Sequence, residues 1–399
     1  MDDNTIISNY LKRVGVRRYP SPQSCRKYLE RQHGREVVNE LLDVVSRRGE
    51  GEDVDVYPIL YSSLDLSIDF LGFEGDLHGN FLRWLLRQCA DNPVPPSTIL
   101  DIGCGNGVLT CFYATYFPKS AVVGIDSSSE GIVCAEELKR RLNLNNVQFV
   151  QSDFVESGLS DVTGEFELIA AAKCIGTAID LPEFDDGKPL FRAFEEFSDF
   201  ARPQLLNDVF KRLAPEGVFA TMDRWTGIQS FCWWVSSLNA AGFSIDFGCS
   251  GRVEYRSVVD NQQERIPVLW NRKSKSLTDE LSDAIGFWLH ANYTDNWAKL
   301  KTFDFHHDLA EMAFARVNPK TFCFGIKSEH VVGGIFWREI WKAGPFLLVY
   351  QFTNNGFRGL EVLLSMFAED AEKHLREVAA RDPEGTSIST YDSPQFKWE

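Results

Sequence analysis

From residue 98 onward the chain alternates short β-favouring apolar runs with longer segments whose apolar residues recur every three or four positions. Thr98-Ile-Leu leads into Asp101, and glycine then occupies positions 103, 105 and 107 before a helical segment opens at Val108. Ala121-Val-Val-Gly-Ile125 predicts a second strand ending at Asp126, and Ser128 or Ser129 can cap a helix running through Ala135, Leu138 and Arg141. Residues 147–150, 166–172, 218–222 and 242–247 predict four more strands, with helices over 205–213 and 228–241. Residues 265–270 predict the last strand. Its Pro267 lacks an amide hydrogen and suits an edge or a strand end. Such alternation implies a parallel sheet with crossover helices.

The flanks have a different texture. Residues 1 to about 56 read as polar helices, with Ser21 as N-cap, Pro22 in the first turn, and an apolar stripe of Leu29, Val37, Val38, Leu41, Leu42 and Val45. An aromatic run (Tyr57, Tyr61, Phe70, Phe73) and a helix from Asp76 follow, up to the proline-rich stretch 93–96. Residues 181–200 form an acidic, Phe-rich insertion. Beyond 275 the pattern predicts a helix over 281–290 and another opening at Asp304. Three meander strands follow at 321–326, 331–337 and 346–352, then a long amphipathic helix over 356–380. The expected organisation is an N-terminal helical cover (1–56), an α/β domain (57–272) and a C-terminal α+β domain (275–399) for dimerisation or for covering a site.

Composition narrows the function. A chain of 399 residues with 44% hydrophobic content can build more than one core. A net charge of −16 argues against binding a phosphate backbone, which requires a basic face. Lys12, Arg13, Arg17, Arg18, Arg26, Lys27 and Arg31 cluster near the N-terminus and read as a solvated helix face. Nine cysteines without a C-x-x-C pair, several in apolar runs, indicate reduced thiols in a cytoplasmic protein with neither a zinc site nor a disulfide framework. His306 and His307 are adjacent and would diverge on a helix, so no metal is expected. Nothing resembles a signal peptide, and no apolar run approaches the ~20 residues of a membrane span.

A dinucleotide-binding loop would place its third glycine at 108, where Val108 stands, which disfavours an oxidoreductase. The run Asp101-Ile-Gly103-Cys-Gly105-Asn-Gly107 has the form [DE]-x-G-x-G-x-G. With the strand order over about 55–272 and the segments Leu213-Ala-Pro-Glu-Gly217 and Ala241-Gly-Phe243, it resembles the class I S-adenosylmethionine-dependent methyltransferases. The resemblance implies a Rossmann-like seven-stranded sheet closed by an antiparallel hairpin, with S-adenosylmethionine as cofactor. It implies cofactor contacts at Asp101, Gly103, Cys104, Gly105, Gly107, Asp126, Ser127, Asp153 and Phe154. Asp101 would orient the methionine amino end, Asp126 would accept from the ribose hydroxyls, and Asp153 and Phe154 would meet the adenine. Each aspartate could equally cap a following helix.

Catalytic groups of such sheets lie beyond the carboxyl ends of the strands. That nominates Lys173 and Cys174 after the fourth strand, Asp223 and Arg224 after the fifth, and His78 from the preceding helix. His78, Lys173 and Asp223 are the chosen candidates. The fourth strand lacks the [DN]-P-P-[YF] sequence of amino-methylating enzymes. Of the metal-binding acids of catechol-type enzymes only Asp223 is present, which disfavours magnesium. Tyr57, Tyr61, Phe184, Phe191, Phe194 and Trp225 would shape a pocket and exclude water. The expected activity is in-line methyl transfer to a small-molecule or peptide-like acceptor, without nucleic-acid or membrane partners, in a chain that can form a homodimer through its C-terminal domain. The alternatives are a protein methyltransferase that docks its partner on the C-terminal domain, and a non-catalytic cofactor-binding regulatory module.

Overall fold

The computed structural model describes residues 2–49, 52, 54–90, 94–179, 203–225, 228–258, 263–273, 305–306, 314, 320–330, 334–343, 346–355, 357–364, 373 and 386–395. Two compact units divide the chain. The first comprises Met1–Leu181, Arg202–Trp225 and Ser237–Leu277, and the second Pro182–Ala201, Thr226–Ser236 and Thr278–Glu399.

The first unit opens with helices α1 (Asp3–Val14), α2 (Pro22–His33) and α3 (Arg35–Gly49). Ser21 caps α2 as its sequence predicts. Its hydroxyl accepts from the Ser24 N–H at 3.2 Å, and the Ser24 hydroxyl accepts from the Ser21 N–H at 3.1 Å. Cys25, Leu29, Val38 and Leu41 bury the apolar stripe, whereas Val45, at the far end of it, is exposed. The basic residues lie on the outside, and several have acidic partners: Arg17 with Asp69 (3.5 Å), Arg18 with Asp76 (2.6 Å) and Arg26 with Glu30 (2.8 Å). Short helices α4 (Tyr57–Leu60) and α5 (Leu64–Leu71), a 3-10 turn at Gly72–Glu74 and α6 (Leu77–Ala90) lead to the sheet.

The alternation beyond residue 98 gives β1 (Thr98–Ile102), α7 (Val108–Tyr116), β2 (Ala121–Asp126), α8 (Ser129–Leu142), β3 (Val147–Gln151), β4 (Phe166–Ala172), α9 (Ile175–Ala178), α10 (Gln204–Arg212), β5 (Leu213–Met222), α11 (Ile228–Ala240), β6 (Phe243–Ile245), β7 (Gly251–Arg256) and β8 (Gln263–Lys273). The order across the sheet is β3-β2-β1-β4-β5-β8-β6. β1 to β5 run parallel, and β8 lies antiparallel between β5 and β6. This is the expected α/β sheet with its closing antiparallel hairpin. It carries one strand more than expected, because β7 pairs with the first half of β8. Arg252, Glu254 and Arg256 alternate with Val253 and Tyr255, so only two apolar side chains mark β7 in the sequence. Pairing of β8 with β5 begins at Val268, so Pro267 faces β7 alone and deprives no central ladder of a donor.

The second unit carries an antiparallel sheet of order β14-β10-β11-β12-β13-β9, made of β9 (Phe305–His306), β10 (Thr321–His330), β11 (Ile335–Ala343), β12 (Phe346–Thr353), β13 (Arg358–Leu364) and β14 (Thr386–Tyr391). The three expected strands are present in longer form, and the middle one begins at Ile335, later than the pattern suggested. Two helix expectations fail. Arg358–Leu364 is a strand because its backbone pairs with β12 from Phe352 to Phe346. Phe305–His306 is a strand because it pairs with Leu360 and Gly359. The expected helix over 281–290 and the 181–200 insertion, with Phe184, Phe191 and Phe194, lie outside the described residues. Phe314 stacks on Tyr350 (centroids 4.5 Å apart) in this unit's core. Glu339, fully buried on β11, accepts from the Gln395 N–H at 2.6 Å, the Trp341 indole at 3.2 Å and the Tyr391 hydroxyl at 3.3 Å.

Among the described residues no helix is long and apolar enough to cross a membrane, and no group of His, Cys, Asp and Glu is placed to hold a metal ion. None of the nine cysteines, all of them among the described residues, is in a disulfide.

Candidate functional site

The turn after β1 is built on positive backbone angles: φ is 68° at Gly103, 51° at Gly105 and 76° at Gly107. A side chain at any of the three would be strained. Space is also closed at Gly105, where a β-carbon would lie 2.5 Å from the Tyr61 hydroxyl. The turn is stitched to β2. The Cys104 N–H donates to the Ile125 carbonyl at 2.9 Å, and the Gly105 N–H donates to Asp126 Oδ2 at 2.8 Å. Asp126 Oδ1 accepts from the Ser128 N–H at 2.9 Å. Burial raises the Asp126 pKa, and these two N–H bonds oppose that rise.

A cavity of about 490 Å³ opens above this turn, at the carboxyl ends of the parallel strands. Gly103, Cys104, Gly105, Asp126, Ser127, Asp153 and Phe154 line one side, and His78 and Lys173 line another. Nine of the twelve residues nominated from the sequence therefore share one space. Gly107 lies just behind it as the N-cap of α7. Asp101 sits beneath the turn, buried, with Oδ2 accepting from the Thr110 hydroxyl at 2.6 Å. Burial pushes the Asp101 carboxyl up to about 7, the Thr110 bond opposes it, and Asp126 adds to the rise. Asp153 Oδ1 accepts from the Val155 and Glu156 N–H groups at 3.0 and 3.2 Å, so this aspartate also caps a turn. Tyr57 and Tyr61, stacked with centroids 5.7 Å apart, complete the wall, with Arg48 lying 5.3 Å over Tyr57.

Asp223 is not brought into the cavity. It is buried at the end of β5, and Oδ2 accepts from the Ile175 and Gly176 N–H groups at 2.8 and 3.0 Å. Burial raises its pKa to about 6 against these bonds. Its carboxylate anchors the segment that follows β4. Cys174 packs against Gly103 and donates its thiol to the Ile102 carbonyl at 3.1 Å.

The sequence reading missed Glu74. This carboxylate, on the 3-10 turn, pairs with the Lys173 ammonium. It also faces His78 Nε2 at 3.8 Å and the Arg224 guanidinium at 3.8 Å. Burial alone would raise the pKa of Glu74, but the combined pull of Lys173, His78 and Arg224 holds it at about 2. His78 moves the other way. Burial lowers its pKa to about 4, with Lys173 and Arg224 adding to the fall and Glu74 opposing it, so it is neutral near pH 7. The network continues as Arg224 meets the Tyr255 hydroxyl and Glu264 (3.4 Å), and Tyr255 donates to Glu264. Lys173 holds φ at 62°, a left-handed angle rare outside glycine. The one sequence signal for Glu74 is its i,i+4 spacing to His78.

A family profile described as a methyltransferase domain matches residues 95–252. Ribosomal RNA small subunit methyltransferase C of Buchnera aphidicola subsp. Baizongia pistaciae (strain Bp) is 43% identical over 70 residues, 18% of this chain and 20% of its own. The mitochondrial ubiquinone biosynthesis O-methyltransferase of Bos taurus is 26% identical over 140 residues, 33% of this chain and 34% of its own. The chain thus spans about a third or less of the length of these two curated relatives. The crystal structure of a ribosomal protein L11 methylase from Lactobacillus delbrueckii subsp. bulgaricus aligns over 49% of this chain and 80% of its own, at 19% identity and a TM-score of 0.33.

Proposed function

Through residues 95–252 the chain belongs to the class I S-adenosylmethionine-dependent methyltransferase superfamily, and on that premise we propose that it carries out in-line methyl transfer to a small-molecule or peptide-like acceptor. One observation carries the reading: a single cavity joins the glycine turn and Asp126 to the cluster of Glu74, His78 and Lys173.

The residues suit the cofactor. A volume of about 490 Å³ falls within the roughly 300–1,000 Å³ of small-ligand sites. The positive-φ glycines bring bare backbone to the wall. Each Asp126 oxygen takes one backbone N–H and keeps a second lone-pair direction for a ribose hydroxyl. Phe154 offers an apolar surface to the adenine, and Asp153 Oδ2 is left for its amino group. When bound, S-adenosylmethionine supplies an electrophilic methyl on a sulfonium. Tyr57 and Tyr61 exclude water from that side.

At the other end His78, neutral near pH 7, takes the acceptor's proton. Much of the rate comes from alignment, which the cavity walls impose. Lys173 belongs to the acceptor wall, Asp101 supports the turn from below, and Asp223 positions the loop after β4. The small volume of the cavity and the net charge of −16 favour a small acceptor over nucleic acid.

Calorimetric titration tests the cofactor half: Asp126→Ala weakens S-adenosylmethionine binding at least about tenfold, the loss expected for deleting a half-buried charged acceptor. Unchanged affinity removes Asp126 from the site. Methyl-labelled cofactor added to an extract tests the acceptor half. Label in the low-molecular-mass fraction supports the reading, and label confined to intact proteins replaces it with protein methylation.

A further inference from the structure

We infer that Glu74 determines the specificity of the acceptor end of the cavity, shaping it for an uncharged, hydroxyl-bearing compound and closing it to carboxylates. The inference rests on the reading of this cavity as a methyl-transfer site.

The charge pattern of the cluster is closed. Two carboxylates, Glu74 and Glu264, face two cations, Lys173 and Arg224, and the Tyr255 hydroxyl bridges Arg224 and Glu264. Glu74 is ionised throughout the physiological range and His78 is neutral there, so where these residues line the cavity the Glu74 carboxylate and the Lys173 ammonium cancel. A carboxylate entering this space would have to shed its water and draw Lys173 away from Glu74. Desolvated charge without a partner is strongly disfavoured. A hydroxyl meets no such obstacle: it can donate to the imidazole of His78 and accept from a remaining ammonium hydrogen of Lys173.

The backbone fixes the two partners against rearrangement. Gly75, next to Glu74, has φ 55°, and a β-carbon there would lie 2.5 Å from the Arg256 carbonyl, so the turn sits tightly on β7. Lys173 is held in its left-handed conformation with its N–H donating to the Met222 carbonyl at 2.7 Å. Such conformations persist where the surrounding structure enforces them.

The test uses the full chain saturated with S-adenosylhomocysteine and two probes of similar shape, benzyl alcohol and benzoate, titrated by calorimetry or ligand-observed NMR. The wild-type protein prefers the alcohol. Glu74→Gln leaves two cations against one carboxylate, and it shifts the ratio toward benzoate at least about tenfold. The double variant Glu74→Gln with Lys173→Gln removes that gain, which a purely structural role for Glu74 would not produce. A wild-type protein that takes benzoate as well as the alcohol, or a folded Glu74→Gln variant with an unchanged ratio, overturns the inference. Should Glu74→Gln not fold, Lys173→Met leaves the carboxylate in excess and gains affinity for benzylamine by a similar factor; no gain overturns it equally. Failure of S-adenosylhomocysteine to bind the wild-type protein defeats the methyl-transfer reading instead, and the same titration separates the two.

Discussion

The Tyr61 hydroxyl stands 2.5 Å from the point where Gly105 would carry a β-carbon, so the glycine turn and the aromatic wall meet without room for one further atom. The same Tyr61 ring lies 3.3 Å from the corresponding point on Gly131, at the start of α8. Tyr61 is thereby fixed between the glycine turn and the first turn of α8.

Gly105→Ala combines this clash with a φ of 51°, each worth on the order of 1 kcal/mol. The expected outcome is a drop of a few degrees in melting temperature and a loss of cofactor affinity of at least about tenfold. Adding Tyr61→Phe, which removes the clashing oxygen, restores part of the affinity. No restoration would assign the whole effect to backbone strain.

His78 gives the chain a defined acid sensitivity. Its folded pKa of about 4 lies below the ordinary 6.5, so between those values the unfolded chain binds more protons and stability rises with pH. The contribution, on the order of 3 kcal/mol, is present above about 6.5 and lost as pH falls toward 4. Asp101 and Asp223 act in the opposite sense. Their folded values of about 7 and 6 exceed the ordinary 3.8, so their contribution is lost as pH rises through that range. Urea unfolding of the wild-type protein and His78→Gln at pH 4.5 and 7 isolates the histidine: the wild-type protein gains more stability with pH than the variant. Equal gains would show that His78 titrates normally.

Asp223→Ala leaves the N–H groups of Ile175 and Gly176 without their acceptor, at a cost of about 2 kcal/mol in unfolding free energy. Cofactor affinity should stay within about threefold of wild type. A loss matching that of Asp126→Ala would instead place Asp223 in the binding site.

In the second unit, Glu339→Ala strips the acceptor from the Trp341 indole, the Tyr391 hydroxyl and the Gln395 N–H, and costs about 3 kcal/mol. Because two of these donors lie on or just after β14, limited proteolysis should cleave the variant near residues 391–395 faster than the wild-type protein. Equal cleavage rates would show that β14 is held by its ladder with β10 alone.

The central sheet was legible because its signals are local. Asp101 to Gly107 encodes a strand, a turn needing positive φ and a helix start within ten residues, and Asp126 marks the next strand end. Ser21 and Pro22 announce α2 through capping chemistry alone. Strand β7 was hidden, since two buried side chains among charged neighbours look like a loop until β8 supplies the ladder. Arg358–Leu364 read as helix for the complementary reason. A short apolar run has no decisive period, and its state follows from which backbone partners are available.

By itself, then, the sequence determined the succession of β1 to β6 along the chain, the turn geometry and the residues at the strand ends, because those depend on steric limits and side-chain chemistry acting over a few bonds. The tertiary structure alone decided how the acceptor end is assembled, bringing Glu74 to His78, Lys173 and Arg224, which the sequence had nominated. Apart from the i,i+4 spacing of Glu74 and His78, no sequence pattern links the four: Lys173 follows β4 and Arg224 follows β5. Their protonation states follow from shared burial and mutual charge, which exist only once the chain has folded them together.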